Sequence, residues 1–288
     1  MRVSGTSLLP GHPVVVRSAK DSRGDLVTLF SDLYASIKTR GFWFYSAWIE
    51  ILLTYRSTAL GPLWIFIGTA LFVFIVGNLY GRVVLTGSSN AYMVHMAVGL
   101  VVWFFMSQTL VGSCRLFWTN RANILDGATS YTDLILKLLT TNVIYLLHNA
   151  VIVVAAFIFT QLPVTATAWA LLLTLPLVLA NVLWMSVVLS ILGARYADLE
   201  EVLHAMLRLL FFVTPILWVP HEHVRGPMVD AALYLNPFYY LLEAVREPLV
   251  QGTIPYFEIG VCLAALPVGW LAASMLYART RASVALWL

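Results

Sequence analysis

The chain has 288 residues, 60% of them hydrophobic and 11% charged, with a mean hydropathy of +0.85 and a formal net charge of +3. A soluble domain carries about 25% charged residues, so the composition excludes a soluble globular protein, and the small net charge gives no reason to expect a nucleic-acid partner. The length suits about six membrane spans of roughly 20 residues with their connections.

Residues 1–24 read as a polar cytoplasmic tail without the apolar core or small-residue cleavage site of a signal peptide. Residues 25–61 read as an amphipathic arm. Leu26, Leu29, Phe30, Leu33 and Ile37 recur at helical spacing, and after Gly41 a second stripe places Phe44, Trp48, Ile51, Leu52 and Tyr55 on one face, with Glu50 and Thr54 off it. Such a helix lies in the membrane interface, as an anchor or as a moving part.

Residues 62–288 hold the spans. A charge at the bilayer centre costs roughly 2.5–3.5 kcal/mol, so charge-free stretches mark them: about 62–80, 91–114, 138–160, 168–192, 202–219 and 257–278. Between Lys137 and Arg195 no Lys, Arg, Asp or Glu occurs, and that stretch divides at Gln161-Leu162-Pro163. These are long apolar runs rather than ten-residue alternations, which excludes barrel strands. The two cysteines, Cys114 and Cys262, fall inside apolar stretches and imply no disulfide framework.

With six spans both termini share a side, and 13 of the 17 basic residues fall on it. The exceptions are Arg82, Arg225 and Arg246 opposite, and Arg208 within a span. The positive-inside rule therefore predicts cytoplasmic termini. The loop from Arg115 to Lys137 is then cytoplasmic, as a contact for a soluble partner or as a solvated connector. The external stretch 220–255 contains two segments, 228–235 and 238–250, separated by Asn236-Pro237. Each is too short to cross a bilayer and reads as re-entrant or surface-lying.

The sequence carries little catalytic chemistry. It has no G-x-x-x-x-G-K-[ST] phosphate loop, no H-E-x-x-H and no C-x-x-C. His221-Glu222-His223 has weak metal-site spacing, and no metal is expected. Asp126 and Asp133 could form the acidic pair of a membrane glycosyltransferase. Arg208 lies about six residues inside the fifth span, roughly 9–10 Å. It either snorkels to the headgroups or serves a pathway. The rings at Phe72 and Phe74 pack the bundle core or line a route on which sugar faces stack.

Three short motifs, in order, resemble one family. Tyr55-Arg56-Ser57-Thr58-Ala59-Leu60-Gly61-Pro62-Leu63-Trp64 resembles the approach to the first span of ABC-2 type permeases, in particular the branch exporting O-antigens, capsules and teichoic acids. Arg195-Tyr196-Ala197-Asp198-Leu199, followed by Thr214-Pro215-Ile216, resembles the boundaries of the fifth span. Leu235-Asn236-Pro237 with Arg246 resembles the external gate. Thr58 replaces a usual serine, Ala197 stands where a polar residue is frequent, and the Phe-Pro-Arg of many members is missing after the second span.

The resemblance implies an all-α integral membrane protein with six transmembrane helices, an N-terminal amphipathic interface helix and external re-entrant gate helices between spans 5 and 6. It implies a permease half, not an enzyme, that pairs with a second copy and two ATP-binding subunits, which hold the ATP and magnesium. Tyr55, Arg56, Leu60 and Gly61 are then expected at a lateral gate near the headgroup of a lipid-linked glycan. Phe72, Phe74, Phe211, Phe212 and Arg208 are expected along the channel. Asn236, Pro237, Tyr239, Tyr240 and Arg246 are expected at the external gate, and Asn120, Arg121, Asp126, Asp198, Glu200 and Glu201 at the ATPase contact. A drug or small-lipid permease, or a glycosyltransferase, are the other readings.

Overall fold

A computed structural model describes residues 26–38, 40–56, 63–83, 89–220 and 226–288. Among these the regular elements are helices: α1 (Thr28–Lys38), α2 (Arg40–Tyr55), α3 (Trp64–Val83), α4 (Ser89–Thr119), α5 (Arg121–Leu125), α6 (Tyr131–Thr160), α7 (Leu171–Arg195, preceded by a 3-10 turn at Ala166–Ala170), α8 (Leu199–Val213), α9 (Pro227–Tyr234), α10 (Pro237–Val250) and α11 (Tyr256–Trp287).

Among the described residues, four helices are long and apolar enough to cross a membrane: Asn90–Thr119, Tyr131–Thr160, Ala166–Arg195 and Tyr256–Trp287. At 1.5 Å per residue each extends about 45 Å, beyond a hydrocarbon core of about 30 Å. The expected spans 91–114, 138–160, 168–192 and 257–278 lie inside them. α3 has 20 residues with an apolar stretch at Ile67–Leu79. The fifth expected span, 202–219, needs correction, because the helix runs Leu199–Val213 and stops. Pro215 offers no N–H and disfavours helical geometry in the residue before it, and Thr214 is accordingly extended, at ψ 133.

α4 is the central post, buried over most of its length against α3, α6, α7, α8 and α10. Lipid tails are as apolar as side chains, so helices in a membrane gain from close backbone approach and internal hydrogen bonds. Both are present. Gly193 of α7 meets the Cys114 carbonyl of α4, and Trp118 donates its indole N–H to the Gly193 carbonyl at 3.1 Å. Asn181 links α7 to the Cys262 carbonyl of α11 at 3.2 Å and accepts from Trp184 at 3.1 Å. Thr109, Ser113, Thr141, Thr160 and Ser186 return their hydroxyls to carbonyls one turn back on their own helices, which spares each a bare donor in an apolar surrounding. Both cysteines are buried and free.

The arm is docked by one line of each helix. In α1, Leu29 and Leu33 are buried against α6 and α11. Asp32 between them accepts from Tyr277 Oη at 2.9 Å and pairs with Arg281 at 3.1 Å. Ser36 meets Thr132 at the start of α6, 2.7 Å apart. In α2 the buried pair is Ala47 and Ile51, and Glu50 reaches Lys137 at 2.9 Å. The aromatic stripe read from the sequence divides here, since Ile51 faces α6 whereas Phe44, Trp48 and Leu52 stay exposed. α2 therefore packs through Ala47 and Ile51 and presents rings outward.

Candidate functional site

Three contacts set how α8 lies on α4. His95 Nε2, near the start of α4, and the Pro215 carbonyl, beyond the end of α8, both accept from the Arg246 guanidinium. Trp103 meets Phe211 edge to face with ring centroids 5.8 Å apart. Arg115 pairs with Glu200 at the start of α8 at 3.3 Å. Numbers rise on one helix as they fall on the other, so the two are antiparallel.

With Phe72 of α3 they line a cleft of about 650 Å³. One zone of the wall is aromatic: Phe72, Trp103, Phe104, Phe211 and Phe212. The other carries Ser107, Gln108, His204 and Arg208. Phe74 does not share the cleft. Two residues along a helix are about 200° apart around it, and Phe74 instead lines an apolar groove with Met93, Ile152 and Phe159.

The far end of α8 is clasped to α10. Asn236 caps α10 by accepting from the Phe238 N–H at 3.0 Å, and its amide donates to Thr214 Oγ1 at 2.8 Å. Thr214 in turn donates to the Leu210 carbonyl at 2.7 Å. One asparagine thus satisfies two chain breaks, each next to a proline that cannot donate. Pro237 occupies the first turn of α10, where its missing N–H costs nothing. Tyr240 Oη donates to the Tyr234 carbonyl at 2.8 Å, and Tyr239 packs edge to face on both Tyr234 and Tyr240. Burial pushes the Tyr239 and Tyr240 hydroxyls above the usual tyrosine range, so both stay protonated hydrogen-bonding groups.

Arg246 is fully buried. Its guanidinium forms a fork with the Glu243 carboxylate and also donates to the Pro215 carbonyl and to His95 Nε2, the last at 2.9 Å. An arginine N–H can only donate, so His95 Nε2 accepts and the ring proton belongs on Nδ1, with the Trp218 backbone as its partner. Gly99 leaves room for this junction, with Ile216 and Arg246 within 4 Å of where a Cβ would sit. Glu243 escaped the sequence reading, although a Glu and an Arg three residues apart on one short helix were a signal that could have found the pair.

Glu247, on the same helix, accepts from Thr253 Oγ1 at 3.2 Å. Burial, then the carboxylates of Glu258 and Glu243, push its carboxyl up from 4.5 to about 7, against the pull of Thr253 and Arg246. The folded chain then holds a proton that the unfolded chain releases earlier. The associated stability is present in acid and is lost as pH rises through 7. The melting temperature of the purified chain is expected to fall by a few degrees between pH 5 and 8, a small change because Glu247 is only half-buried. Glu247→Gln should flatten that slope, and an unchanged slope would assign it to another group.

At the opposite end, Asn120 donates to the Leu116 carbonyl at 2.8 Å and leads into α5 with Arg121 exposed; Asp126 closes α5, also exposed. Asp198 and Glu201 are exposed beside the Arg115–Glu200 pair. Glu200 and Glu201 stand in the first turn of α8, where the helix dipole favours acid. Asp133 is half of a capping box with Ser130 at the start of α6, so it is engaged as a structural cap. Tyr55 bonds to Tyr145 of α6, and Arg56 is exposed at the end of α2. Leu60, Gly61 and His221-Glu222-His223 lie outside the described residues.

The sequence profile of the ABC-2 type transporter family matches residues 42–250. An "O-antigen export system permease protein RfbA" of Myxococcus xanthus is 25% identical over 264 residues, covering 88% of this chain and 97% of the relative. A protein of the same description from Klebsiella pneumoniae is 24% identical over 218 residues, covering 74% and 81%.

Proposed function

This chain belongs to the ABC-2 type transporter family, and we propose that it is the membrane subunit of an ATP-driven exporter moving a lipid-linked polysaccharide across a bacterial inner membrane. The observation that carries the reading is the similarity, over most of both chains, to two relatives described as O-antigen export permeases. The cleft is compatible with it, since flat apolar sugar faces stack on rings.

In this reading α3 and α8 join the four long helices as spans one and five, the basic end of the bundle faces the cytoplasm, and two copies pair across α3 and α8. α8 has 15 residues, about 22 Å, and the segment through Val219 completes the crossing, with the re-entrant α9 and α10 at the external mouth. Tyr55 and Arg56, continuing to Leu60 and Gly61, form the lateral gate, where a guanidinium suits a pyrophosphate headgroup. Asn236, Pro237, Tyr239, Tyr240 and Arg246 hold the external gate. Asn120, Arg121, Asp126, Asp198, Glu200 and Glu201 offer the contact for two ATPase subunits, which supply ATP and magnesium.

The test is a deletion strain. Lipid-linked glycan is expected to accumulate on the cytoplasmic side, with surface glycan lost. Normal surface glycan would sink the export reading and leave a drug or small-lipid permease. Failed glycan synthesis would point to a glycosyltransferase.

A further inference from the structure

The two arm helices carry their polarity the wrong way round for a surface. A helix lying flat in the interface keeps its charges toward water and its apolar face toward lipid. The one acid of α1, Asp32, is instead buried toward Tyr277 and Arg281 of α11. Phe30, Tyr34 and Ile37, with Leu26 and Val27 just before the helix, are the exposed residues. The one acid of α2, Glu50, turns to Lys137 of α6, while Phe44, Tyr45, Trp48, Leu52 and Leu53 are exposed. The exposed hydroxyls of Ser31 and Thr54 donate to the carbonyls of Thr28 and Glu50, at 3.0 and 2.8 Å. Hydroxyls inside the long helices close on their own backbone in the same way.

The contacts also fix the level of each helix. α11 is free of Lys, Arg, Asp and Glu between Glu258 and Arg279, and α6 is free of them beyond Lys137. Both acids are pinned at these boundaries, Asp32 to Arg281 and Glu50 to Lys137. Each helix then continues past its pin along the apolar side. Back along α1, Phe30 packs on Trp270 with ring centroids 5.4 Å apart. Leu26 and Val27 share a groove with Pro267 and Leu271, which stand on either side of the middle of that charge-free stretch. Forward along α2, Tyr55 bonds to Tyr145, eight residues beyond Lys137. Val27 and Tyr55 each lie five residues past their pin, about 7.5 Å. Arg56 follows at a depth from which a long side chain still reaches the headgroups. Lys38 and Arg40 flank the joint between the helices, at the opposite end. The exposed tyrosines, Tyr34 and Tyr45, lie nearer that joint, where a phenol suits headgroup level, and the deep ends carry Leu26, Val27, Leu52 and Leu53.

Charge turned inward, hydrocarbon turned outward and hydroxyls closed on their own backbone mark helices immersed in lipid. A soluble partner cannot cover a face that begins level with Pro267. We propose that α1 and α2 stand as a tilted hairpin within the cytoplasmic leaflet, and that their exposed face is a binding surface for phospholipid acyl chains. The expectation of an arm lying flat in the interface is thereby replaced by one with a shallow joint and two deep ends. The name of the leaflet rests on the cytoplasmic orientation proposed above; the depth of the hairpin does not.

The experiment uses the full chain in phosphatidylcholine nanodiscs, with Cys114 and Cys262 replaced by alanine. One cysteine at a time is introduced as Val27→Cys, Tyr34→Cys, Phe44→Cys or Leu53→Cys and labelled with a fluorophore. Quenchers are lipid nitroxides, placed near the headgroup or deep in the chain, and aqueous iodide. Labels at Val27 and Leu53 are expected to be quenched about twofold or more better by the deep nitroxide than by the shallow one, and labels at Tyr34 and Phe44 the reverse. Depth would then fall with residue number along α1 and rise along α2. Leu26→Cys and Leu52→Cys probe the same deep levels if a variant fails gel filtration. Equal, shallow quenching at every position would overturn the proposal in favour of a flat arm. Strong iodide quenching at Val27 and Leu53 would assign the face to water, and protection from both kinds of quencher would assign it to a second copy of the chain. The deletion strain judges export separately: normal surface glycan there leaves the opposed gradients intact, and missing gradients leave the export phenotype intact.

Discussion

Replacing Arg246 by alanine is expected to destabilise the chain by about 3–5 kcal/mol, the range for a buried ion pair robbed of one partner. That is a large fraction of the roughly 5–15 kcal/mol by which a native domain is stable. The carboxylate of Glu243 would remain in a dry pocket, and the Pro215 carbonyl and His95 Nε2 would lose the donor they share. The contrast is the double variant Arg246→Met with Glu243→Leu. With both charges removed it should recover a large part of the loss, because the desolvation penalty disappears along with the attraction. Thermal unfolding in detergent reads both variants. A single variant as stable as wild type would show that the junction admits water, and a double variant no better than the single would assign the loss to the histidine and carbonyl.

Gly193→Val is the second substitution expected to act strongly. A Cβ at Gly193 would sit 2.0 Å from the Cys114 carbonyl oxygen, and backbone cannot rotate aside as a side chain can. α4 and α7 would have to separate, which also breaks the bond from Trp118 to the Gly193 carbonyl. Overpacking of this kind costs about 1–3 kcal/mol or more, and here it falls on the central helix. A lowered melting temperature and poor recovery from membranes are the expected results. Gly193→Ala should show the same loss, reduced; a normal melting curve for both variants would mean that α4 and α7 are held apart more loosely than the contact implies.

Much of the bundle was legible because charge is costly in lipid and apolar runs are long. The same argument hid where helices end. Arg115 marks where the apolar run ends, but α4 continues to Thr119, and α6 begins at Tyr131, six residues before Lys137. Backbone hydrogen bonding carries a helix on into water, and hydropathy does not register it. The outer bound of the fifth expected span missed for the opposite reason: residues 214–219 are apolar, but Pro215 stops the helix. Thr214 and Asn236 each stood out beside a proline, yet nothing in the chain order says that one side chain bonds the other. Phe72 and Phe74 looked equivalent because both are aromatic, whereas helix geometry places them on different faces. The polar wall of the cleft was half visible, through Arg208 alone, since Gln108 and Trp103 come from a helix about a hundred residues earlier.

The junction at Asp32 also has a consequence for how the molecule is made. Its partners Tyr277 and Arg281 belong to the last helix, so on the ribosome the first described helix waits for nearly the whole chain before its acid can be neutralised. Contacts this distant in sequence form late. A chain truncated before α11 would therefore leave α1 held by α6 alone with a bare carboxylate on it, a mark by which a protease could tell unfinished copies from completed ones.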